Sequence, residues 1–476
     1  MPLLLTEEAI NRLFDQDNSF LILIMPGEKM SDILFIKNTW IISGDHEIGE
    51  IENGSILIEG DKIKAIGADL TPPPGHHVID GGGMIAIPGL IDCHKHLWHT
   101  PLRGMCLDMT LLEYFMRVKQ GMTGTSRPQD AAIGTYAGAI ESISSGITSV
   151  FDHAHCLVTP EHADAVVQSV IQSGIRGVWA YGYDANGIKQ VDTEIREAER
   201  IKSTYFSSAG SLMKMGIAVR PHNSVPFEQT IDEIKSAMEM DIIWTAHTHC
   251  GNGPGPLSRG IHKLYANGFL NKNALLSHCN ELTYSDFCML KELGANFVTT
   301  PDSEIYCGMV KPTNFIDSIA SGVELALGTD SVAWMSTDMF ANMRLALTFA
   351  RHQINHPAAA GNLPVMQQKL LVRDVFRWAT INGAKALGID HLVGSLKPGK
   401  QADIVLINAT HLNLAPVIDP VMSLVMHGHA ANVDTVLIAG KIRKQAGRLI
   451  GVDQERMNKE IIEANQFLLK KAQIAA

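Results

Sequence analysis

The feature that most restricts the fold of this chain is a regular alternation of short apolar segments with longer, helix-like ones. Eight apolar segments of strand length recur in order, at 84–91, 148–152, 177–181, 217–220, 242–246, 274–277, 296–300 and 323–327. Strands that alternate with helices form parallel sheets, and eight such units can close into a (β/α)8 barrel. We therefore predict an α/β fold built on a distorted TIM-type barrel. An open, doubly wound sheet is the alternative, but no G-x-G-x-x-G segment follows the first strand.

The two ends of the chain have a different pattern, in which short alternating segments are separated by turn residues such as Asn53-Gly54 and Pro398-Gly399. Alternation with a period of two indicates half-buried antiparallel strands. We predict four parts: a composite β-sandwich from 30–87 and 388–452, the barrel at 88–387, a C-terminal helix at 453–476 and an N-terminal extension at 1–29. A true N-terminal helix is the alternative for the last of these.

Composition and charge exclude several classes of function. The 476 residues include 39 Lys or Arg and 50 Asp or Glu, and no basic run is present, which argues against a nucleic-acid partner. No apolar run reaches the roughly 18 residues that suggest a membrane span. Seven cysteines without a C-x-x-C pair are typical of reduced thiols. We expect a cytoplasmic protein with a small-molecule partner and no membrane partner.

Histidine is the residue type that points to a chemistry. The chain has twenty histidines, and they form four H-x-H triplets where chance predicts about one. Three triplets end predicted barrel strands one, two and five: His94/His96, His153/His155 and His247/His249. His278 and Asp330 end strands six and eight. Because TIM barrels place their chemistry at the carboxyl ends of the strands, these side chains are expected to meet at one mouth.

Alternation along a strand predicts which side chains face that mouth. Residues i and i+2 share a face, so both histidines of a triplet can point inward. The intervening and flanking residues then face the helix layer and pack there: Lys95, Thr248, Cys93, Cys250 and Cys279. The fourth triplet, His427/His429, falls outside the barrel and is interpreted as structural.

Three imidazoles and one carboxylate can bind a divalent ion and leave a position open for water. Such an ion lowers the pKa of that water to about 7, so that hydroxide forms at neutral pH. The histidine pattern therefore favours a hydrolytic metal centre over a purely structural one.

Five motifs, in chain order, resemble those of the metal-dependent amidohydrolase superfamily. They are Pro88-Gly-Leu-Ile-Asp-Cys-His-Lys-His96, Ala246-His-Thr-His249, Leu276-Ser-His278, Gly328-Thr-Asp-Ser331 and the segment GSLKPGKQADIVL at 394–406. The resemblance covers about residues 32–450. The most similar branch contains the cytosine, guanine and S-adenosylhomocysteine deaminases and the triazine hydrolases.

The resemblance implies a hydrolase of carbon–nitrogen bonds other than peptide bonds, deaminase-like, acting on a small cyclic or heterocyclic molecule. It implies one Zn or Fe ion bound by His94, His96, His249 and Asp330. Asp330 would also take the proton from the attacking water, and His278 would polarise the substrate. His247 would support the ligands or simply be packed. A homo-oligomer is also implied.

Candidate substrate-binding residues follow the strand ends: Trp98, Arg103, His153, His222 and Asn252. The segment 106–121 is predicted to form an amphipathic lid over the mouth, with apolar residues at Leu107, Leu111, Leu112, Phe115 and Met116. An ordinary helix on the outside of the barrel is the alternative.

One departure from the family pattern bears on mechanism. The deaminase branch usually has a glutamate three residues after the strand-five histidine, whereas His249 is followed at that spacing by Asn252. An amide cannot shuttle protons as general acid–base catalysis requires. Asp302 and Glu304, after strand seven, compete as the substitute acid, and we predict Glu304. Without such an acid, an amide, carbamate or dechlorinating hydrolase is the alternative function, and a non-catalytic metal-binding barrel is another.

Overall fold

The computed structural model describes residues 33–183, 190–208, 210–221, 225–250, 259–309 and 311–471. The predicted extension at 1–29 and two of the predicted site residues, His222 and Asn252, lie outside these ranges.

Five strands open the described chain: β1 (Ile33–Ile42), β2 (Glu50–Glu59), β3 (Lys62–Gly67), β4 (His77–Asp80) and β5 (Met84–Pro88). β2 lies antiparallel to both β1 and β3, whereas β4 and β5 run parallel to β1. Leu34 pairs with Ile58 and Ile36 with Ile56, and all four side chains are buried in one apolar cluster. The alternating pattern of the sequence is thus the inner face of this sheet.

Eight parallel strands in consecutive order form the barrel: β6 (Leu90–Lys95), β7 (Ile147–Ala154), β8 (Arg176–Gly182), β9 (Met213–Ala218), β10 (Ile243–Thr248), β11 (Ala274–His278), β12 (Asn296–Thr299) and β13 (Leu325–Leu327). The ring closes just after β13, where Asp330 N donates to His94 O and His96 N donates to Asp330 O, both at 2.8 Å. The predicted eight-stranded barrel is therefore confirmed.

The first predicted barrel strand, 84–91, divides at Gly89 into β5 and β6, which belong to different sheets. A Cβ atom on Gly89 would lie 2.0 Å from Thr148 Oγ1. Glycine is required here because the backbone of β6 passes directly against a side chain of β7.

Helices surround the barrel: α1 (Leu111–Tyr114), α2 (Pro128–Ser144), α3 (Pro160–Ser173), α4 (Val191–Tyr205), α5 (Phe227–Glu239), α6 (Arg259–Ala266), α7 (Tyr284–Leu293), α8 (Pro301–Tyr306), α9 (Phe315–Ser321), α10 (Met339–Ala360), α11 (Val372–Trp378), α12 (Ile381–Ala386), α13 (Pro420–His427) and α14 (Gln454–Lys471). Short 3₁₀ turns occupy Leu97–Leu102, Thr123–Thr125 and Ala430–Asn432, and Phe115–Gln120 is a π-helix. Within the described ranges, none of the helices is both long and apolar enough to cross a bilayer.

The chain then returns to the first sheet through β14 (Ile404–Asn408), β15 (Val433–Ile438), β16 (Lys441–Gln445) and β17 (Arg448–Leu449). β14 lies antiparallel to β5, so both ends of the chain build one nine-stranded sheet. Asp403, just before β14, accepts two hydrogen bonds from buried Arg176 of β8, at 2.8 and 2.9 Å. This bidentate pair fastens the sheet to the barrel.

Candidate metal centre and active site

Five side chains converge at the carboxyl end of the barrel: His94, His96, His247, His278 and Asp330. The donor atoms of the first three lie within 4.8 Å of one another, as do those of His94, His278 and Asp330. Nε2 of His96 lies 3.3 Å from Nε2 of His247 and 3.4 Å from Oδ1 of Asp330. Nε2 of His94 lies 3.7 Å from the same carboxylate oxygen.

This donor set fits a divalent cation. Among the described residues, the buried Nε2 of His94 has no hydrogen-bond partner, as a metal-binding nitrogen requires. Burial, reinforced by the neighbouring imidazoles, holds the pKa values of His94, His96 and His247 well below the usual range. The three rings are therefore neutral at pH 7, which is the form that binds metals. Imidazole nitrogens and a carboxylate oxygen together form a zinc-type donor set.

Hydrogen bonds behind the donor atoms orient them. Nδ1 of His96 lies 2.9 Å from the carbonyl oxygen of His153, which accepts its hydrogen and leaves the Nε2 lone pair for a cation. Nδ1 of His94 lies 2.9 Å from the hydroxyl of Ser277. Ser303 donates to Oδ2 of Asp330 at 2.5 Å.

A buried polar network ties β6 to the loop after β13. Lys95, between the two histidines, donates to Thr329 and Thr337 at 2.8 and 3.0 Å. Asp92 accepts from the backbone N–H of Thr329 at 3.0 Å and lies 3.9 Å from the Lys95 ammonium. The network holds the two elements together where His94 and His96 must meet Asp330.

A cavity opens over the cluster, and the described residues on its wall include His153, His155, Tyr183, Arg220, Cys250 and Trp334. The predicted substrate-binding residue His153 is among them, with its ring centroid 4.2 Å from that of His247. Asp330 supplies a carboxylate to this wall and His278 an imidazole. The cluster therefore faces a space in which a small molecule can bind.

The family model described as "Amidohydrolase family" matches residues 85–443. The chain belongs to the amidohydrolase family. With deaminases among its curated relatives, this amidohydrolase is a metal-dependent enzyme that hydrolyses a carbon–nitrogen bond other than a peptide bond, as predicted.

Two relatives match nearly the whole amidohydrolase chain. A 5'-deoxyadenosine deaminase of Methanothermobacter thermautotrophicus is 30% identical over 433 residues, which are 88% of this chain and 95% of the relative. A 5-methylthioadenosine/S-adenosylhomocysteine deaminase of Thermoanaerobacter pseudethanolicus is 28% identical, covering 92% of this chain and 100% of the relative.

Solved structures share the fold. An adenosine deaminase from Xanthomonas campestris, with bound zinc, has a TM-score of 0.81 at 22% identity and covers 93% of this chain and 99% of its own. An atrazine chlorohydrolase from Arthrobacter aurescens, complexed with zinc, has a TM-score of 0.79 at 21% identity, over 91% of this chain and 100% of its own.

The structure corrects the predicted ligand set at His249, which lies apart from the cluster. β10 ends at Thr248, and His249 follows in the left-handed region at φ 49°. His96 also follows its strand, but it keeps φ −110° and so continues the alternation. Because the alternation breaks after Thr248, His249 lies outside the cluster, whereas His247 lies in it beside His94 and His96. Burial lowers the pKa of His249 to about 4.

Counting from His247 instead of His249 also changes which residue stands where the deaminase pattern has its glutamate. The third residue after His247 is Cys250, which lines the cavity, whereas the sequence predicted that it packs against the helix layer. Burial raises the pKa of the Cys250 thiol, so it stays protonated at neutral pH. A thiol in that state is a weak hydrogen-bond donor and does not shuttle protons.

Glu304 contacts His278, which lines the cavity. Glu304 itself is not one of the described residues on the cavity wall. Its carboxylate accepts from Thr300 N at 2.7 Å and Asn280 Nδ2 at 3.1 Å, and it lies 3.2 Å from His278 Nδ1. A carboxylate enclosed in this way is not placed to protonate a substrate, which corrects the predicted role. The contact with Nδ1 makes Glu304 a residue that orients His278.

The pKa of His278 reflects this pairing. Burial lowers the pKa of His278, but the hydrogen bond with Glu304 and the charge of Asp330 raise it by more than burial lowers it. The net shift of this pKa is therefore upward. Asp302, the competing acid, lies in the first turn of α8 and is also absent from the described cavity wall. Burial and the charge of Asp338 raise its pKa to about 6.

Trp98 and Arg103 are not on the described cavity wall, which corrects two predicted substrate contacts. The chain after β6 forms the 3₁₀ turn Leu97–Leu102, which holds Trp98, and Arg103 follows it. Trp98 is buried against His99, with ring centroids 4.1 Å apart. Arg103 makes a two-bond surface ion pair with Glu141, at 2.9 and 2.8 Å.

The segment 106–121, called here the covering segment, contributes to the cavity wall, and its role as a lid stays a prediction. Four of its side chains line the wall: Leu111, Tyr114, Phe115 and Lys119. Leu107, Leu112 and Met116 point the other way and are 46%, 66% and 52% exposed. The predicted apolar face is therefore wrong at Leu107, Leu112 and Met116, and of its five residues only Leu111 and Phe115 line the cavity.

Sequence reasoning missed several polar residues of the wall, among them His155, Tyr114 and Lys119. His155 could have been found from its triplet, but Tyr114 and Lys119 carry no motif. The Tyr114 hydroxyl lies 3.2 Å from Nε2 of His99 and 3.4 Å from Nε2 of His155. Nδ1 of His99 in turn lies 2.6 Å from the Ser331 hydroxyl, which joins this network to the residue after Asp330.

Proposed function

We propose that this amidohydrolase is a deaminase of an aromatic nitrogen heterocycle that uses one zinc ion bound by His94, His96, His247 and Asp330. The observation that carries the proposal is the convergence of these four side chains on one point at the mouth of the barrel. Deaminases of adenosine derivatives among the relatives and zinc in two structural neighbours support the substrate class and the metal.

His94, His96, His247 and Asp330 would hold a divalent ion, which when bound would supply Lewis acidity and lower the pKa of a water molecule to about 7. Asp330 accepts a proton from the attacking water, and the Ser303 hydroxyl holds its carboxylate in place. Burial raises the pKa of Asp330, against the opposing effects of His278 and Ser303, which makes it a stronger base than an exposed aspartate.

His278 faces the same space with its orientation set by Glu304. We propose that His278 contacts the substrate atom whose charge changes during the reaction. The water oxygen forms the new bond to the ring carbon, the carbon–nitrogen bond breaks, and the nitrogen leaves as ammonia with the proton that Asp330 accepted.

Cys250 favours a second candidate function. The protonated thiol occupies the position three residues after His247, where the deaminase branch usually has glutamate. A hydrolase whose leaving group departs without prior protonation, such as an amide, carbamate or chlorinated heterocycle hydrolase, does not need that glutamate.

The test is a substrate panel assayed with zinc-loaded protein: adenosine derivatives, nucleobases, amino- and chlorotriazines, pterins and N-acyl compounds. Ammonia release from at least one amino heterocycle, abolished in Asp330→Asn, is the expected result. His249→Ala is the matched control because His249 lies next to the same strand but outside the cluster. Release of chloride or carboxylate alone would favour the second candidate.

We also propose a cytoplasmic location and a homo-oligomer. All seven cysteines lack disulfide partners, which supports a reducing compartment. Light scattering after size-exclusion chromatography measures the oligomeric state. A monomer at micromolar concentration would contradict the proposed homo-oligomer.

A further inference from the structure

A second cavity, of about 520 Å³, lies between α10, the loop that follows β11 and the loop that precedes α9. Its described wall includes Asn280, Glu281, Thr313, Asp317 and Phe349, and none of these five lines the cavity over the histidine cluster. A space of this size holds an organic molecule. The second cavity is therefore a candidate binding site separate from the barrel mouth.

Asn280 belongs to the wall of the second cavity, and its amide has a fixed orientation. The residue is only 1% exposed, and its Nδ2 donates to Oε2 of Glu304 at 3.1 Å. Because an ionised carboxylate only accepts hydrogen bonds, the amide nitrogen faces Glu304 and Oδ1 points elsewhere. Among the described residues, this buried Oδ1 has no hydrogen-bond partner. Buried polar atoms normally have one, so Oδ1 calls for a donor from outside the protein.

Glu281 adds a carboxylate oxygen in the same state. Within the described part of the chain, its buried Oε2 has no hydrogen-bond partner. Burial raises the pKa of Glu281 against the opposing charge of Lys311, so the charge of Lys311 does not fully compensate the buried carboxylate. The described wall carries the carboxylates of Glu281 and Asp317, the ammonium of Lys311 and the exposed imidazoles of His352 and His356. The second cavity therefore favours a ligand that has a positive charge and hydrogen-bond donors.

The remainder of the wall selects an organic cation over a metal ion. Leu282, Ile316 and the partly buried Phe349 provide apolar surface for an aliphatic chain. In the described ranges, groups of three or more possible metal donors within 4.8 Å of one another occur at the barrel mouth and not on this wall. An alkylammonium needs no such group, because its nitrogen has three donors and forms charge-assisted hydrogen bonds to oxygen.

We propose that the second cavity binds a primary alkylammonium ion, whose nitrogen donates to Asn280 Oδ1 and Glu281 Oε2. Binding here does not depend on which reaction the barrel mouth catalyses, but it reaches the active site. Thr313 and Asn280 both donate to Glu304, which contacts Nδ1 of His278. A donor on Oδ1 polarises the Asn280 amide and strengthens its hydrogen bond to Glu304. The bound cation therefore acts on the carboxylate that orients His278.

Calorimetry with butylammonium chloride tests the site on the zinc-loaded protein at pH 8, where ordinary imidazoles are neutral. Butanol and butyrate have the same chain without the positive charge, and ammonium chloride has the charge without the chain. We expect butylammonium to bind about tenfold more tightly than any of these three. Glu281→Gln should weaken its binding about tenfold, and Lys311→Met should strengthen it about threefold by removing an opposing charge. Glu292→Gln, which changes an exposed carboxylate of α7, is the control and should leave it unchanged.

Three results would overturn the proposal: no binding of butylammonium, equal affinity for butanol or butyrate, or an affinity that either Glu281→Gln or Lys311→Met leaves unchanged. Lys311→Met keeps both proposed acceptors in place, so it tests the site even where Glu281→Gln perturbs the fold. Equal affinity for ammonium and butylammonium would overturn the role of the alkyl chain.

Hydrogen exchange tests the connection to the active site without any substrate. The Thr300 N–H donates to Glu304 at 2.7 Å, so its exchange reports on how firmly that carboxylate is held. Peptides that cover residues 296–306 should exchange more slowly with saturating butylammonium in the wild type and not in Glu281→Gln, with α3 as the internal reference. Unchanged exchange of these peptides in the wild type would overturn the connection to His278.

Discussion

Nδ1 of His278 lies 3.2 Å from Oε1 of Glu304, a buried carboxylate that is not among the described residues lining the cavity. His278 has a left-handed backbone at φ 71°, a conformation that costs on the order of 1–3 kcal/mol and persists only when its surroundings hold it. Thr300 N and Asn280 Nδ2 hold the carboxylate in turn. The pair thus aims one ring nitrogen of His278 while keeping Glu304 away from substrate.

Glu304→Gln should lower kcat about 10- to 100-fold with the zinc content unchanged, as is typical when a partner of an active-site histidine is lost. The glutamine preserves the shape of the enclosure but removes its charge. Steady-state kinetics across pH 5–9 and elemental analysis check this, because a merely structural role would leave the pH profile of kcat unaltered. A change confined to KM would contradict it.

His247→Ala should remove most of the bound zinc, whereas His249→Ala should retain it. The two residues belong to one triplet, but only His247 lies within 3.3 Å of His96 Nε2. Elemental analysis after dialysis against metal-free buffer distinguishes them. Full zinc content in His247→Ala, or its loss only in His249→Ala, would restore the ligand set predicted from the sequence.

The buried group around Arg220 predicts a pH dependence of stability. Burial, together with the charge of Glu194 and against the attraction of Arg220, raises the pKa of Glu233 from 4.5 to about 7. Between these values the folded state binds more protons than the unfolded state, so this stabilisation is complete below pH 4.5 and is lost as pH rises through 7.

Glu233→Gln should therefore flatten the decline in the free energy of unfolding between pH 5 and 8. Urea unfolding of the wild type and the variant at intervals of half a pH unit measures both slopes. Glu197→Gln, which changes a less buried carboxylate paired with Arg200, is the control. Parallel slopes for Glu233→Gln and the wild type would show that Glu233 does not titrate in this range.

The covering segment should gain protection from hydrogen exchange when the cavity is filled. Leu111, Tyr114 and Phe115 line the cavity from one face of the segment, so a bound ring would stabilise its helical hydrogen bonds. Exchange followed by mass spectrometry, with and without saturating xanthine, reports on residues 106–121. The neighbouring helix α2 serves as the internal reference, and equal exchange of the covering segment in both states would exclude a lid.

The sequence by itself determined the barrel and most of the side-chain cluster at its mouth. Eight apolar segments separated by helix-length connections predict the parallel barrel, and its geometry gathers residues from the strand ends. His94, His96, His278 and Asp330 were identified because each lies at or just beyond the end of a strand. The alternation of side chains along each strand and the closure of the eight strands into a barrel are enough to predict the positions of these residues.

The tertiary structure alone decided the choice between His247 and His249, the exposure of Cys250 to the cavity, the enclosure of Glu304 and the inward direction of Lys119. In the first case a left-handed residue after Thr248 ends the alternation on which the prediction relied. In the others, the direction of a side chain depends on elements far apart in the chain: Asn280 and Thr313 around Glu304, and a π turn above β7 for Lys119. Periodicity describes one strand or helix at a time, and it contains no information about which loops meet at the mouth of a barrel.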